Sequence, residues 1–457
     1  MNLFLPSGRR PLFFVGIGGA GMSALALLAL RKGIPVSGSD LDVSGCEDLV
    51  AAGATVFAGH AAEQVDDARG VVVSAAIPPG HVEVEAARAR GIPVVARKDA
   101  LAGLIGTARC VAIAGTHGKT TTTAMTTEAV SAGGLAVTGI AGGRVEAWGG
   151  NARIGGDELF VVEADEYDRA FLTLQPTIAV VNNVEVDHLE CYGSIEALEE
   201  AFVSFASRAE RVLVGNDSVG ADRVAAQLPA SRVWRFGPGA AELRLAGVEA
   251  SASGSSATVS LPGHGTVELQ LQVPGLHNLR NATAALGVVV ALGGDPGPAL
   301  SALAEFRGVG RRFERLGEFA GIAIVDDYAH HPTELRATLA AARQAFPARR
   351  LVAAFQPHLY SRTALQGDAM GEALATADFA IVTDVYAARE EPMPGVSGLQ
   401  VAEAVRRSGG AVVYEPSRAA LAARVAGLLR RGDVLLTLGA GDITRLGREV
   451  QAALEAA

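Results

Sequence analysis

Residues 109–124 read RCVAIAGTHGKTTTTA, a short apolar strand followed by a glycine turn that carries one lysine and a run of threonines. Gly115 and Gly118 let the backbone turn so that its N–H groups point at an anion, and a helix beginning near Lys119 adds the positive end of its dipole. Thr120 brings a hydroxyl oxygen of the kind that ligates phosphate-bound magnesium. The predicted phosphate-binding residues of this α/β unit are Gly115, Thr116, His117, Gly118, Lys119, Thr120 and Thr121.

The lysine of this turn is unusual for the chain. There are only three lysines, Lys32, Lys98 and Lys119, and arginine supplies the other basic side chains. An ammonium is a compact point charge, whereas a guanidinium is a planar fork, so a lysine in the turn indicates a site that needs the smaller cation. The alternative is an ordinary strand-to-helix turn with an incidental lysine.

Length and composition limit the possible classes of protein. A chain of 457 residues predicts about three domains, and many glycines with few aromatic residues are typical of stacked α/β layers. The net charge of −10 argues against nonspecific nucleic-acid binding. Cys46, Cys110 and Cys191 form no CxxC pair, which argues against a disulfide framework. With no recognisable signal peptide and no apolar run of about 20 residues, we expect a cytoplasmic protein without a membrane partner.

Residues 1–105 alternate predicted strands and helices and contain a second glycine turn. The stretch Gly16–Gly21 reads GIGGAG after an apolar strand, and Asp40 ends the next strand. This spacing matches a dinucleotide fingerprint, in which glycines allow close approach to a diphosphate and an acidic side chain contacts a ribose hydroxyl. NAD, FAD and UDP-sugars all remain open as ligands, as does a turn without any ligand.

Residues 106–309 contain the phosphate loop and acidic strand ends. The strand LFVVEADE delivers Glu163 close to the loop, and His188 follows in VEVDH. Carboxylates near a phosphate require a cation between them, so Glu163 and His188 indicate a metal site. The alternative for His188 is a capping or core histidine.

Near the end of this central unit, the pattern changes from parallel strand–helix units to short antiparallel strands. Residues 240–275 predict a small antiparallel patch at the edge of the domain. Helix signals return at His277–Asn281, where asparagine amides are suited to reading an adenine edge. A plain helix N-cap is the alternative for Asn278.

Residues 310–457 predict a further series of strand–helix units, whose functional residues should lie where the strands end. Polar clusters occur at three such ends: Asp326–Pro332, Gln356–Arg362 and Asp384–Tyr386. Gly308–Phe313, before this unit, joins a glycine pair to two arginines and predicts a hinge that closes over a nucleotide. An ordinary solvated linker is the alternative.

Taken together, seven motifs resemble the Mur ligase family, the ATP-dependent amide-forming enzymes of peptidoglycan precursor synthesis. They are AGTHGKTTTT, VVEADE, VEVDH, PGLHNLRNA, GRRFE, DDYAHHPTE and FQPHLYSRT. The resemblance covers essentially the whole chain, in order. It implies a Rossmann-like N-terminal domain (1–105) for a UDP-sugar, a central P-loop mononucleotide-binding α/β domain with small antiparallel strands (106–309) for ATP, and a Rossmann-like C-terminal α/β domain (310–457) for an amino acid.

The resemblance also implies roles for individual residues. UDP-sugar contacts would come from Gly18, Gly19, Gly21, Asp40 and Ser74. Lys119 would hold the β and γ phosphates, and Thr120, Glu163 and His188 would ligate magnesium. Further ATP contacts would come from His277, Asn278, Asn281, Arg312 and Asp327, and L-alanine contacts from Tyr328, His330, His358 and Arg362. The implied catalytic set is Lys119, Glu163, His188 and Arg362.

The activity implied by the resemblance is the ligation of L-alanine to the lactyl carboxylate of UDP-N-acetylmuramate through an acyl phosphate, with ATP and Mg²⁺ as cofactors. A ligase that attaches a whole tripeptide to the same nucleotide sugar is the alternative, and an NAD-dependent oxidoreductase would leave the phosphate loop without a purpose. Three positions depart from the family pattern: Leu359 stands where arginine is common, His81 lies where an asparagine is usual, and Tyr167 replaces a common serine.

Overall fold

The computed structural model describes residues 3–6, 8–251, 254–388 and 390–455. Contacts between Cα atoms divide the chain into two compact units. The first consists of Met1–Leu245, Val259–Val267 and Asn281–Leu303, and the second of Ala246–Thr258, Glu268–Arg280 and Ala304–Ala457.

The N-terminal sheet is parallel, with the strand order β3-β2-β1-β4-β5. Its elements are β1 (Leu12–Val15), α1 (Ala20–Arg31), β2 (Val36–Asp40), α2 (Glu47–Ala51), β3 (Thr55–Ala58), β4 (Gly70–Val73), α3 (Val82–Ala89), β5 (Val94–Ala96) and α4 (Arg97–Ile105). Successive side chains of β1 point to opposite faces, so Phe14 enters one hydrophobic core and Phe13 another. Burial on both faces explains why the strand is apolar throughout.

The central sheet has the order β15-β14-β13-β12-β11-β10-β6-β9-β7-β8. Its strands are β6 (Arg109–Ala114), β7 (Thr138–Val145), β8 (Gly150–Arg153), β9 (Leu159–Glu163), β10 (Ile178–Val181), β11 (Arg211–Gly215), β12 (Val233–Pro238), β13 (Leu243–Ser251), β14 (Gly254–Leu261) and β15 (Gly265–Leu271). The helices are α5 (Lys119–Ala132), α6 (Leu189–Tyr192), α7 (Ile195–Ala206), α8 (Val219–Ala226), α9 (Leu276–Ala291) and α10 (Pro296–Ala304). Strand β6 runs parallel to both neighbours, β10 and β9, whereas β7 and β8 pair antiparallel. The phosphate-loop strand is therefore interior, and the strands predicted for residues 240–275 form one edge of the sheet.

The C-terminal sheet has the order β16-β17-β21-β18-β19-β20. Its elements are β16 (Glu314–Phe319), β17 (Ile322–Asp327), α11 (Pro332–Ala345), β18 (Leu351–Phe355), α12 (Tyr360–Leu374), β19 (Phe379–Val382), α13 (Gly398–Arg407), β20 (Val412–Tyr414), α14 (Arg418–Ala426), β21 (Val434–Leu438) and α15 (Leu446–Glu455). The strands are parallel except for the β16–β17 hairpin, which the sequence analysis did not predict. Strand β16 is largely exposed and lacks an apolar run, so it gave no strand signal.

The α/β fold class and its Rossmann-like terminal sheets are confirmed, and element ends differ by a few residues. The sequence predicts a helix from Ser23 to Arg31 and a strand VVVSAAI ending near Ile77, whereas helix α1 begins at Ala20 and β4 ends at Val73. In the described parts of the chain, no helix is long and apolar enough to cross a membrane.

Candidate functional site

The phosphate loop follows β6 and needs glycine at both of its turning points. Gly115 has a φ of +136° and Gly118 a φ of +79°, a region that L side chains rarely adopt. A Cβ on Gly115 would lie 2.9 Å from Cβ of Asn182, and one on Gly118 would lie 2.9 Å from Oδ1 of Asn281. The loop is thus an open backbone cradle in which larger residues would clash.

Two asparagines after β10 fix the shape of this loop. The His117 N–H donates to Oδ1 of Asn183 at 2.8 Å, and Nδ2 of Asn182 donates to the His117 carbonyl at 3.2 Å and to Oγ1 of Thr122 at 3.0 Å. Sequence reasoning gave these asparagines no role, although the apolar run IAVVNN predicts a strand over residues 178–183 that ends with them. His117 therefore contributes its backbone groups to a braced loop.

Lys119 begins α5 and turns its ammonium back over the loop. Its Nζ donates to the carbonyls of Gly115 at 2.8 Å and Thr116 at 3.2 Å, and to Oε1 of Glu166 at 2.8 Å. Glu166 is only 1% exposed, and its Oε2 has no hydrogen-bond partner among the described residues. The sequence analysis proposed Glu163 as a metal ligand and gave Glu166 no role. Glu166 is the carboxylate that pairs with Lys119.

Three carboxylates influence the charge of this lysine. Burial alone would lower the pKa of Lys119, but the carboxylates of Glu166, Asp165 and Glu163 outweigh it, and the pKa is raised. Glu163 itself accepts a hydrogen bond from the N–H of Gly142 at 2.6 Å. A group of carboxylates around one ammonium carries a net negative charge that a divalent cation can balance.

His188 stands at the N-cap position of α6 with a φ of 53°, but its side chain makes no capping hydrogen bond. Its Nδ1 lies 3.5 Å from Oε1 of Glu190, and its Nε2 lies 3.7 Å from Oδ2 of Asp187. Burial lowers the pKa of His188, but the Glu190 hydrogen bond and the Asp187 charge raise it more, so the net shift is upward. The ring of Tyr167 packs edge-on against it at 5.2 Å. A histidine ligates a metal through a neutral nitrogen, so this upward shift of the pKa opposes metal binding.

The predicted adenine residues lie in the first turns of α9, which begins at Leu276. Asn278 is inside the helix and its Nδ2 donates to the carbonyl four residues earlier at 2.8 Å, so the N-cap alternative is wrong. Asn281 faces Gly118 of the phosphate loop. Burial, with smaller contributions from nearby arginines, lowers the pKa of His277 to about 4, so its imidazole is neutral at pH 7.

The glycine turn at Gly16–Gly21 is held by other partners than the phosphate loop. Gly18 donates its N–H to Oδ2 of Asp40 at 2.9 Å, so the predicted ribose carboxylate braces the turn itself. A Cβ on Gly21 would lie 2.8 Å from Nη1 of Arg97, which places a guanidinium at the start of α1. Arg97 also lies 3.7 Å from Asp165 near the phosphate loop. Sequence reasoning missed Arg97, which directly follows β5, a strand that was not predicted either.

Gly19 lies exposed in this turn, and Ser74 follows β4 at the same edge of the sheet. The Ser74 hydroxyl accepts a hydrogen bond from the N–H of Ala76 at 3.3 Å. In the central domain, Thr120 and Thr121 lie buried in the first turn of α5.

In the second unit, Asp327 ends β17 and organises the segment before it. Its carboxylate accepts from the N–H groups of Phe313 and Ala329, both at 2.8 Å. Burial raises the pKa of Asp327 to about 6, against the opposing charge of Arg312. The Arg312 guanidinium lies 4.9 Å from the centre of the Tyr328 ring. Arg312 and Asp327, each predicted as an ATP contact, therefore also interact with each other electrostatically.

The structure brings the four predicted amino-acid residues together. The Tyr328 and His330 rings are 5.2 Å apart, His330 and His358 are 6.0 Å apart, and Nη1 of Arg362 lies 3.3 Å from Nδ1 of His358. Tyr386 stacks on His358 at 5.9 Å and extends the group. The sequence analysis singled out the strand end that carries Tyr386 but gave this tyrosine no role.

Leu359, a departure from the family pattern, is 3% exposed and has a φ of 67°. Its N–H donates to the carbonyl of Tyr386 at 3.0 Å. A buried leucine supplies no charge, so Arg362 is the cation of the Gln356–Arg362 cluster.

Three protein-family models match successive parts of the chain. The model described as "Mur ligase family, catalytic domain" matches residues 12–109, the "Mur ligase middle domain" residues 113–289, and the "Mur ligase, glutamate ligase domain" residues 311–441.

Individual proteins are similar over almost the whole length. A UDP-N-acetylmuramate–L-alanine ligase of Streptomyces avermitilis is 44% identical over 454 residues, covering 98% of this chain and 98% of the relative. The crystal structure of a UDP-N-acetylmuramate-alanine ligase from Thermotoga maritima superposes with a TM-score of 0.82 at 30% identity, covering 98% of this chain and 100% of the other. A murein peptide ligase from Psychrobacter arcticus gives a TM-score of 0.74 at 25% identity, covering 98% and 99%.

Proposed function

Because the chain belongs to the Mur ligase family, we propose that it joins L-alanine to the lactyl carboxylate of UDP-N-acetylmuramate in an ATP-dependent reaction. The observation that carries this proposal is the braced glycine loop that presents Lys119 beside a group of carboxylates. The higher similarity to alanine ligases than to the murein peptide ligase favours alanine over a tripeptide.

Amide formation from a carboxylate and an amine needs activation. Bound ATP supplies the phosphoryl group that turns the carboxylate into an acyl phosphate, and magnesium offsets the charge of the reacting anions. The glycine cradle supports a triphosphate at Gly115–Thr121, and the acidic surroundings of Lys119 support a cation. We propose Thr120, Glu163 and deprotonated His188 as the residues that hold Mg²⁺.

Lys119 has two roles in this scheme. Its ammonium is held by two loop carbonyls and by Glu166. A phosphate in the cradle competes for the same ammonium, which then neutralises negative charge as the phosphoryl group moves.

Asn281, which faces Gly118, and the neighbouring His277 and Asn278 are proposed for the adenine side, with Arg312 and Asp327 as further ATP contacts.

For the UDP-sugar we propose Gly18, Gly19, Gly21 and Ser74, with Asp40 as the residue that braces the turn. The Arg97 guanidinium beside Gly21 supports a diphosphate at this turn, because charged hydrogen bonds to phosphate are strong and directional. The corresponding domain limits, 1–105, 106–309 and 310–457, and a cytoplasmic location are part of the same proposal.

For L-alanine we propose Tyr328, His330, His358 and Arg362. A guanidinium binds a planar carboxylate through two parallel hydrogen bonds, which fixes the amino acid and directs its amine toward the acyl carbon. The Tyr328, His330 and His358 rings form one group with Arg362, and we propose that this group contacts the bound amino acid.

The test is phosphate release by the purified protein with ATP, Mg²⁺ and UDP-N-acetylmuramate, with L-alanine, glycine, L-serine or the tripeptide as acceptor. We expect release that depends on an amino acid and is fastest with L-alanine. A preference for the tripeptide would favour the alternative, a ligase that attaches a whole tripeptide to the nucleotide sugar. Phosphate release that is independent of any acceptor would refute the ligase proposal.

The same assay tests the amino-acid pocket. Arg362→Ala should raise the KM for L-alanine by about tenfold to a hundredfold, since a charged hydrogen bond contributes about 1.5–3 kcal/mol. The KM for ATP should stay unchanged. Arg407→Ala, at an exposed arginine paired with Asp368, is the matched control. Normal alanine affinity in the Arg362 variant would refute its assignment.

A further inference from the structure

The N-terminal sheet carries a second cluster of ligand-type side chains, and the proposed function does not use it. His60 lies just after β3, His81 immediately precedes α3, and Glu83 lies in the first turn of that helix. Ser39 lies near the end of β2. The cluster thus gathers at the carboxyl edge of the sheet, within the first compact unit.

The polar atoms of the cluster converge. Nδ1 of His60 lies 3.1 Å from Oε2 of Glu83, and Nδ1 of His81 lies 3.8 Å from the same oxygen. The Ser39 hydroxyl donates to Oε2 of Glu83 at 2.8 Å and lies 2.9 Å from Nδ1 of His60. One ligand atom from each histidine and from Glu83 lies within 4.8 Å of the others.

Two buried polar atoms of the cluster lack a hydrogen-bond partner among the described residues. Glu83 is 0% exposed, and among the described residues neither its Oε1 nor Nδ1 of His81 has a hydrogen-bond partner. A buried carboxylate is costly unless a positive charge accompanies it.

A Ser–His–Glu nucleophile does not explain the arrangement. In such a relay the hydroxyl and the carboxylate bind opposite nitrogens of the imidazole. Here both Ser39 and Glu83 approach the same nitrogen, Nδ1 of His60, and the Ser39 side chain is fully buried. The cluster cannot pass a proton from serine through the ring to the carboxylate.

We propose that His60, His81 and Glu83 form a binding site for a divalent transition-metal ion of the zinc class. Ligands about 2.0–2.1 Å from a tetrahedral ion lie about 3.3 Å from one another. Oε2 of Glu83 lies 3.1 Å from Nδ1 of His60 and 3.8 Å from Nδ1 of His81, one distance below and one above that value. Two imidazole nitrogens with one carboxylate favour zinc, cobalt or nickel over magnesium, which prefers oxygen.

The surroundings support the same ion. Ser39 donates to the Glu83 carboxylate and so helps to orient this ligand, whereas an ion would replace the Ser39 contact at Nδ1 of His60. The next residue, Asp40, braces Gly18 in the glycine turn. An ion at the cluster would therefore join the loop after β3 to the segment after β4, beside that turn, without using the residues of the magnesium site proposed around Glu163.

The experiment uses the full chain, freed of metal with a chelator and titrated with Co²⁺, whose visible absorption is intense in tetrahedral nitrogen–oxygen sites. We expect one such ion per chain, displaced by Zn²⁺ and not by excess Mg²⁺. His81→Asn should weaken this binding at least tenfold, whereas His264→Asn, at an exposed histidine in the β14–β15 turn, should leave it unchanged.

His188→Asn separates the two metal sites. The absorption should persist in that variant, because His188 belongs to the proposed magnesium site. Loss of the absorption in His188→Asn with retention in His81→Asn would overturn the proposal, as would its absence from the unmodified chain.

A second measurement does not depend on whether the variants fold. Crystals of the unmodified protein soaked in Zn²⁺ should give an anomalous peak at the zinc edge within bonding distance of His60, His81 and Glu83. A protein that takes up zinc but shows no peak between these three side chains would contradict the assignment.

Discussion

The molecule contains two glycine turns of the same local design, and different partners hold them. Each follows an interior strand of a sheet and opens a helix, β1 to α1 and β6 to α5. In the first turn, Gly18 is exposed, Asp40 takes its N–H, and the nearby cation is Arg97. In the second turn, asparagines brace the loop, and the cation is a lysine of the turn itself.

The difference shows that a glycine turn fixes where an anion can bind but not what is done to it. The first turn keeps its cation on another helix, α4, as suits a diphosphate that is held but takes no part in the exchange of bonds. In the second turn, Lys119 is within reach of three carboxylates, as suits a phosphoryl group that is transferred.

Lys119→Ala is expected to have the largest effect. Loss of the ammonium should reduce ATP turnover at least about a hundredfold, because one preorganised charge contact at a reacting group contributes that much or more. Phosphate release measures it. Lys98→Ala, which removes a lysine paired with Asp168 outside the loop, should retain turnover. Equal losses in both variants would mean that the loop lysine has no special part in catalysis.

Glu166→Gln tests the partner that only the second turn has. The change leaves the Lys119 charge without its buried carboxylate, and we expect a loss of about 2 kcal/mol in unfolding free energy. Thermal or urea unfolding measures it. Asp168→Asn, at the more exposed Lys98 pair, should cost well under half as much. An unchanged stability of Glu166→Gln would show that the loop carbonyls suffice to hold the lysine.

Arg97→Gln tests the cation of the first turn. We expect the KM for UDP-N-acetylmuramate to rise about tenfold, which corresponds to one charged hydrogen bond of about 1.4 kcal/mol, with the KM for ATP unchanged. Arg90→Gln, at an arginine paired with Asp66, is the control. A rise in the KM for ATP instead would assign Arg97 to the second turn through its contact with Asp165.

The smallest expected difference separates two glycine-to-alanine changes. Gly118→Ala places a side chain at a φ of +79° against Asn281, and should cost about 1–2 kcal/mol in unfolding free energy. Gly18→Ala involves no positive φ, and its Cβ would lie 3.1 Å from Oδ2 of Asp40 and 3.3 Å from the Asp42 carbonyl, so it should cost less unfolding free energy than Gly118→Ala. Equal unfolding midpoints for the two alanine variants would contradict this comparison.

Much of the site was visible in strand-end motifs. The phosphate loop, the Asp326–Pro332 cluster and the Gln356–Arg362 cluster all lie at the carboxyl ends of parallel strands, where neighbouring loops must meet. Apolar runs and the alternation of predicted strands with predicted helices also indicated where these strands lie. The exposed strand β16 escaped prediction because it pairs by its backbone and not by an apolar pattern.

The amino-acid sequence by itself determined the two glycine turns, their helices and the lysine in the second turn, because backbone conformation and short-range spacing are local properties. Only the tertiary structure decided that Glu166 and not Glu163 pairs with Lys119, that Asn182 and Asn183 brace the loop, and that Arg97 serves the first turn. These partners come from other strands and helices. Burial and distance select among chemically equivalent carboxylates and cations, and neither quantity is encoded in local spacing.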